Sequence, residues 1–195
     1  MTNGYIMIKH HYSGNIIFSV IAGIIICMIF FQKSAASPGM DRVEQNKKLT
    51  ETEPMAKSVV HLYFADKNNS FLKAEERELR HSNNATEFGK AIVAALINGP
   101  RTGLIRNIPE GTKLKAFYLT GDGTAYVDMS DEVREGHPGG VKSELFTIYS
   151  VVNSLVLNIP DIHAVKFLIN GKESMTLNGH IDLRFPFKAN MLLIR

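Results

Sequence analysis

The chain has 195 residues, 45% of them apolar and 21% charged, which is enough for one globular domain of ordinary size plus extensions. The formal net charge is only +3, and residues 58–195 hold 16 basic and 15 acidic side chains, a balance that argues against nucleic-acid binding. The single cysteine, Cys27, excludes an intrachain disulfide and is compatible with any compartment.

The first predicted element is an uncharged apolar segment, NIIFSVIAGIIICMIFF at residues 15–31. With its flanks it reaches the roughly 20 residues that a helix needs to cross a bilayer. Cleavage after the small residues at 34–36 is the alternative, and it would release a secreted form. The predicted division of the chain is a short N-terminal segment at 1–14, a transmembrane signal anchor at 15–33, a linker at 34–57 and an extracytoplasmic domain at 58–195.

The domain opens with signals for two strands and a helix. Residues 58–65 (SVVHLYFA) are β-branched and aromatic, which predicts a strand. The segment 71–81 is ambiguous between a helical turn and a polar edge strand, and we favour the strand. Asn84 precedes Glu87 at capping-box spacing and predicts the start of a helix, which Gly99-Pro100 ends.

The middle of the domain predicts a hairpin followed by a long helix. Strands at 112–120 and 124–129 flank Gly121-Asp122-Gly123, a strong turn signal. After a polar loop at 130–138, apolar residues recur at spacings of three and four from Val141 to Ile159, which predicts a helix with one core-facing stripe.

The last part predicts two further strands. Apolar residues alternate over 165–169, Asn170-Gly171 favours a tight turn, and 177–183 is expected to form the final strand. The predicted fold class is α/β (α+β), with two layers: a small mixed sheet covered on one face by two helices, preceded by the transmembrane segment.

Six segments in this order resemble the GerMN domain family, which is named for a sporulation and spore germination protein. The resemblance spans residue 59 to about 187. It implies a fold similar to ring-building modules, a membrane-tethered place in a bacterial envelope and a role in protein contacts, and it carries no catalytic residues over. The segments are VHLYFAD at 60–66, AIVAALINGP at 91–100 followed by IPEGT at 108–112, AYVDMS at 125–130, GGVKSELFTIYSVVNSL at 139–155, VKFLINGK at 165–172 and GHIDL at 179–183.

Opposite the apolar stripe, the long helix carries small hydroxyl side chains at spacings of four, three and four. A flat face of this kind could let another chain approach closely, and the alternative is an ordinary solvated face. The exposed edge of the strand at 71–81 offers a second route to assembly, by strand addition. The predicted interaction face consists of Ser143, Thr147, Ser150 and Ser154.

Motifs for catalysis or metal binding are weak. Ser70 and Lys73 match an S-x-x-K spacing, but the companion S-D-N and K-T-G motifs are missing from the sequence. Glu144 and Arg101 are most simply a helix-end charge and a loop charge. The seven histidines show no H-x-x-x-H spacing, so a zinc site is not expected. The acidic cluster at 128–132 could bind a cation, although a strand end with a helix cap explains it better.

We therefore predict a membrane-anchored scaffold or interaction module without enzymatic activity, catalytic residues, metal or cofactor. Its partner would be itself or another envelope protein, and cell-wall material remains open. The alternative function is a cell-wall-glycan or small-ligand binding module, or a wall-modifying enzyme that uses the acidic cluster at 128–132.

Overall fold

A computed structural model describes residues 56–195. The predicted segments at 1–14 and 15–33, and all but the last two residues of the linker at 34–57, lie outside the described residues. Within the described part, none of the helices combines the length and the apolar character that crossing a bilayer requires. The elements are β1 (Lys57–Ala65), β2 (Leu72–Arg80), α1 (Ala85–Ile97), β3 (Leu114–Leu119), β4 (Thr124–Met129), α2 (Glu132–Glu135), α3 (Val141–Val156), β5 (Ala164–Ile169) and a 3₁₀ turn (Met191–Leu193).

The described strands form two separate sheets, so the prediction of a single sheet is wrong. Strands β1 and β2 pair antiparallel. In the other sheet β4 lies between β3, its antiparallel partner, and β5, its parallel partner. Helix α3 contacts both β1 and β5, and α1 contacts β1, β2 and β3. The two helices therefore pack against strands of both sheets, where we had expected them to cover one face of a single sheet.

Helix α3 is the central element because nearly all of its middle is buried. Its predicted apolar stripe, including Ile148, Val152 and Leu155, packs in the main core with Val127 and Phe167 of the three-stranded sheet. Burying large aliphatic side chains stabilises a fold by about 1.5–3 kcal/mol each. The stripe therefore supplies much of the free energy that holds α3 on this sheet.

The opposite side of α3 forms hydrogen bonds with the free edge of β1. Ser150 Oγ donates to the Tyr63 carbonyl oxygen over 2.5 Å, and Ser154 Oγ accepts from the Tyr63 N–H over 3.0 Å. The Asn158 side chain accepts from the His61 N–H over 2.9 Å and donates to the His61 carbonyl oxygen over 2.8 Å. Positions 150 and 154 lie one turn apart on α3, and 158 follows in the turn just past the end of the helix. Alternate strand residues direct their backbone groups to the same edge. We call these three side chains the edge ladder.

The predicted interaction face is therefore largely internal. Thr147, Ser150 and Ser154 are at most 2% exposed, whereas Ser143 is partly exposed. Small hydroxyl side chains do permit a close approach, but the backbone that approaches Ser150 and Ser154 is β1 of the same chain. The prediction that this face is available to another chain is wrong for these three residues.

The last predicted strand is also wrong. Among residues 177–183 the only sheet-like pairing is an isolated bridge between Thr176 and Asp182. The Glu144 carboxylate accepts from the backbone N–H groups of His180 and Ile181 over 3.2 and 3.0 Å. These are donors that a regular strand would give to a neighbouring strand, so the segment stays irregular.

Several local predictions are confirmed. The Asn84 side chain accepts from the backbone N–H groups at 86 and 87 and caps α1. The 71–81 segment forms strand β2, the predicted hairpin is β3–β4, and Asn170-Gly171 turns the chain with φ of 50° and 73°. The polar loop at 130–138 differs from the prediction because it contains the short helix α2.

We expect Ser150→Ala and Ser154→Ala each to lower the free energy of unfolding by about 1–3 kcal/mol, because each leaves a backbone group of buried Tyr63 without a partner. Chemical denaturation of the two variants measures this. Ser143→Ala, on the same helix and outside the edge ladder, is the matched control and should change stability by less than about 0.5 kcal/mol. Equal effects in all three variants would contradict a specific role for the edge ladder.

Candidate interaction site

A groove of about 300 Å³ lies between two loops at the start of α3. One loop precedes β3 and the other connects α2 to α3. Ser143 is the one member of the predicted interaction face that lines this groove. Residues that define it include Ile105, Asn107, Pro109, His137, Ser143 and Phe146.

The first wall is fixed to β1 and α3 through Asn107. Its side-chain oxygen accepts from the Ala65 N–H over 2.8 Å, and its carbonyl oxygen accepts from Thr147 Oγ1 over 2.6 Å. The neighbouring Arg106 donates to the carbonyl oxygens of Ile97 and Asn98 at the end of α1. This loop is therefore connected to three elements and has a defined shape.

The second wall is fixed by His137, which is only 8% exposed. Its Nδ1 accepts from the Gly139 N–H over 3.0 Å, and its Nε2 lies 3.0 Å from Thr147 Oγ1. Because the Thr147 hydroxyl donates to the Asn107 carbonyl, Nε2 carries the proton. Burial lowers the pKa of His137, and the charge of Glu144 opposes this shift to a smaller degree. The neutral imidazole thus satisfies both of its contacts.

Glu144 fixes the start of α3 against the loop that follows β5. It is fully buried, and besides two backbone N–H groups it contacts His180 Nδ1 over 2.6 Å. Burial alone would raise the pKa of Glu144, but hydrogen bonds from Ile181 and His180 hold it below its usual value. A carboxylate in the first turn also interacts favourably with the helix dipole. This geometry agrees with the structural role expected for Glu144.

The acidic cluster at 128–132 lies at a different place, beside a shallow depression of about 380 Å³. Asp128 accepts from the Gly171 N–H over 2.8 Å, and Asp131 accepts from the Asn170 side chain. Ser130 Oγ accepts from the Lys113 N–H over 2.9 Å. These residues join the end of β4 to β3 and to the turn after β5. Within residues 56–195 no three His, Cys, Asp or Glu side chains come together as metal ligands would.

The remaining candidates do not converge on the groove. Ser70 lies in a turn and Lys73 in β2, so they are not one helical turn apart as the S-x-x-K chemistry requires. The backbone N–H of Arg101 donates to Glu75 over 2.7 Å, and its side chain is exposed. Sequence reasoning missed Asn107 and His137, because nothing in their spacing shows that both contact the Thr147 hydroxyl.

Comparisons with known proteins place this fold. The model of a family described as Germane, sporulation and spore germination, matches residues 61–174. The first GerMN domain of the sporulation protein GerM from Bacillus subtilis is 23% identical with a TM-score of 0.56, over 68% of this chain and 97% of that one. The tandem GerMN domains of the same protein match with 23% identity and a TM-score of 0.56, over 67% of this chain and 46% of that one.

A candidate lipoprotein from Clostridium perfringens is 25% identical with a TM-score of 0.49, over 69% of this chain and 89% of that one. No protein of curated function matches the chain at a significant level. The two GerM structures confirm the predicted GerMN-type fold.

We expect the free energy of unfolding to fall as the pH drops below about 6.5, because the unfolded chain then binds a proton that buried His137 resists. His137→Gln removes this titration and should flatten the pH dependence between pH 6.5 and the depressed pKa of His137. Urea unfolding at a series of pH values measures the difference. Identical slopes for wild type and His137→Gln would contradict this prediction.

Proposed function

The chain belongs to the Germane family of sporulation and spore germination domains, and from this premise we propose that it is a non-catalytic interaction module of a bacterial cell envelope. Residues 15–33 would hold it in the membrane. The groove would receive an extended segment of another envelope protein or of a second copy. Family membership supports a role connected with sporulation or germination. The kind of partner, an envelope protein or a second copy of this chain, is also proposed.

The observation that carries this proposal is the bracing of the groove walls. Asn107 and His137 are held by the Thr147 hydroxyl, and Asn107 is also held by β1. A site whose shape is set before binding avoids the entropic cost of ordering loops during binding. The Ile105 side chain, 39% exposed, adds apolar surface. A groove of about 300 Å³ is at the small end of ligand sites, which suits one or two side chains of a partner segment.

The contacts of His137 also support a non-catalytic role. A general base needs a free ring nitrogen within reach of the proton that it removes. Here Nδ1 is occupied by the Gly139 N–H and Nε2 by Thr147. Protonation of His137 would break the contact to Gly139 and disturb the entry to α3, so the imidazole is better suited to holding the wall.

The alternative, wall binding or wall hydrolysis through the cluster at 128–132, has weaker support. Asp128 is 6% exposed and already accepts from the Gly171 N–H. Its replacement would disturb the turn after β5 whether or not the cluster had a ligand. A loss of function in Asp128→Ala alone would therefore not distinguish the two functions.

We expect a photocrosslinking amino acid at Ser143 of the full-length chain to give one discrete product in cells, either with an envelope protein or with a second copy. The matched control carries the same probe at Gly121 on the distant β3–β4 hairpin and should give no discrete product. A side chain at this position has open space around its Cβ atom. Immunoblotting and mass spectrometry identify the product. Adding Ile105→Glu should reduce the yield at least several-fold while leaving the melting temperature close to wild type, because Ile105 is partly exposed.

Two outcomes would overturn this proposal. One is equal crosslinking from positions 143 and 121, which would show that contact with the groove is not specific. The other is release of soluble fragments from purified cell wall by the full-length protein at a rate above that of a heat-denatured control. That result would favour the wall-modifying alternative.

A further inference from the structure

The segment at residues 190–195 presents two aliphatic side chains to solvent. Met191 is 59% exposed and Leu192 is 86% exposed. The next two residues, Leu193 and Ile194, point the other way and pack on a small second core that includes Phe146. The segment therefore has one apolar side that is used within the fold and another that no described residue covers.

This segment is fixed on both sides of the exposed pair. The amide of fully buried Asn153 on α3 donates to the Asn190 carbonyl oxygen over 3.1 Å and accepts from the Asn190 N–H over 2.9 Å. Beyond the pair, the Arg195 N–H donates to the Leu72 carbonyl oxygen over 3.0 Å. Because both ends are held by backbone contacts, the two side chains need little further ordering when they meet a surface.

Basic side chains surround the same region. Lys142 Nζ lies 5.8 Å from the centre of the Phe146 ring, and the Arg195 guanidinium lies 4.7 Å from that of Phe71. Lys188 is exposed on the approach to the segment. The carboxylate of Asp66 interacts with Lys142. From residue 183 to 195 the sequence has no Asp or Glu.

We propose that this basic–apolar patch, formed by Lys142, Lys188, Met191, Leu192 and Arg195, contacts the surface of an anionic lipid bilayer. Aliphatic side chains can insert among the acyl chains of a bilayer while neighbouring cations bind the anionic headgroups. Such binding does not require a shaped pocket. Two aliphatic side chains would bind a bilayer weakly on their own. The inference therefore rests on the membrane attachment in the proposed function, since a tether raises the effective concentration of lipid at the patch.

The test uses the full-length chain with Cys27→Ser, so that an environment-sensitive fluorophore can be attached at Leu192→Cys alone. The protein is reconstituted in phosphatidylcholine vesicles with and without phosphatidylglycerol, and with brominated lipids as quenchers. We expect a blue-shifted, quenchable emission that needs phosphatidylglycerol and weakens at high salt. Lys142→Glu with Lys188→Glu should reduce the quenching at least two-fold. The matched control carries the label at Gly121→Cys and should remain water-exposed in all vesicles.

Two results would overturn the proposal. Emission from position 192 in phosphatidylglycerol vesicles that equals the emission from position 121 would show that the patch does not meet lipid. A shift with native membranes but not with protein-free vesicles would assign the patch to a protein. Carbonate extraction of the same vesicles reports separately on residues 15–33. If carbonate removes the chain from the vesicles while its label still responds to phosphatidylglycerol, residues 15–33 are not a membrane anchor. That result would still support lipid contact by the patch.

Discussion

The fold depends on one constraint: the free edge of β1 has to be satisfied by something other than a strand. Backbone donors and acceptors at a buried edge cost free energy when they are unpaired. Here the edge ladder provides the partners, and the short hydroxyl side chains of Ser150 and Ser154 fix the distance between α3 and β1. The same helix packs its aliphatic side against the three-stranded sheet. The edge ladder thus explains why the strands divide into two sheets and why α3 lies between them.

Local chemistry was predictable from the sequence where neighbouring residues decide it. The Asn84 cap, the β3–β4 hairpin and the Asn170-Gly171 turn each follow from a few consecutive side chains with known backbone preferences. The strand predicted at 177–183 fails because a distant carboxylate, Glu144, takes its N–H groups. Periodicity contains no information about such a competitor.

The candidate site was much less predictable. A run of polar residues at helical spacing predicts a helix face that is exposed to solvent. Ser150 and Ser154 fit this pattern although they are buried, so the pattern does not distinguish the two environments. Their true environment depends on a strand about 90 residues earlier in the chain. The groove has the same non-local origin, since Asn107 and His137 meet at Thr147 only after three elements have packed. Ser143 was found by sequence because it shares the spacing of its neighbours, although its surroundings differ from theirs.

The edge ladder also has a consequence for the order in which the chain can fold. Its contacts join residues 87 to 97 positions apart, so β1 is synthesised long before the side chains that cover it. The β1–β2 hairpin can form early, but its outer edge remains an open template until residue 158 has followed. Open strand edges on partly folded chains are where aggregation begins. The nascent protein is therefore most vulnerable to mispairing during that interval, and Asn158 marks its end.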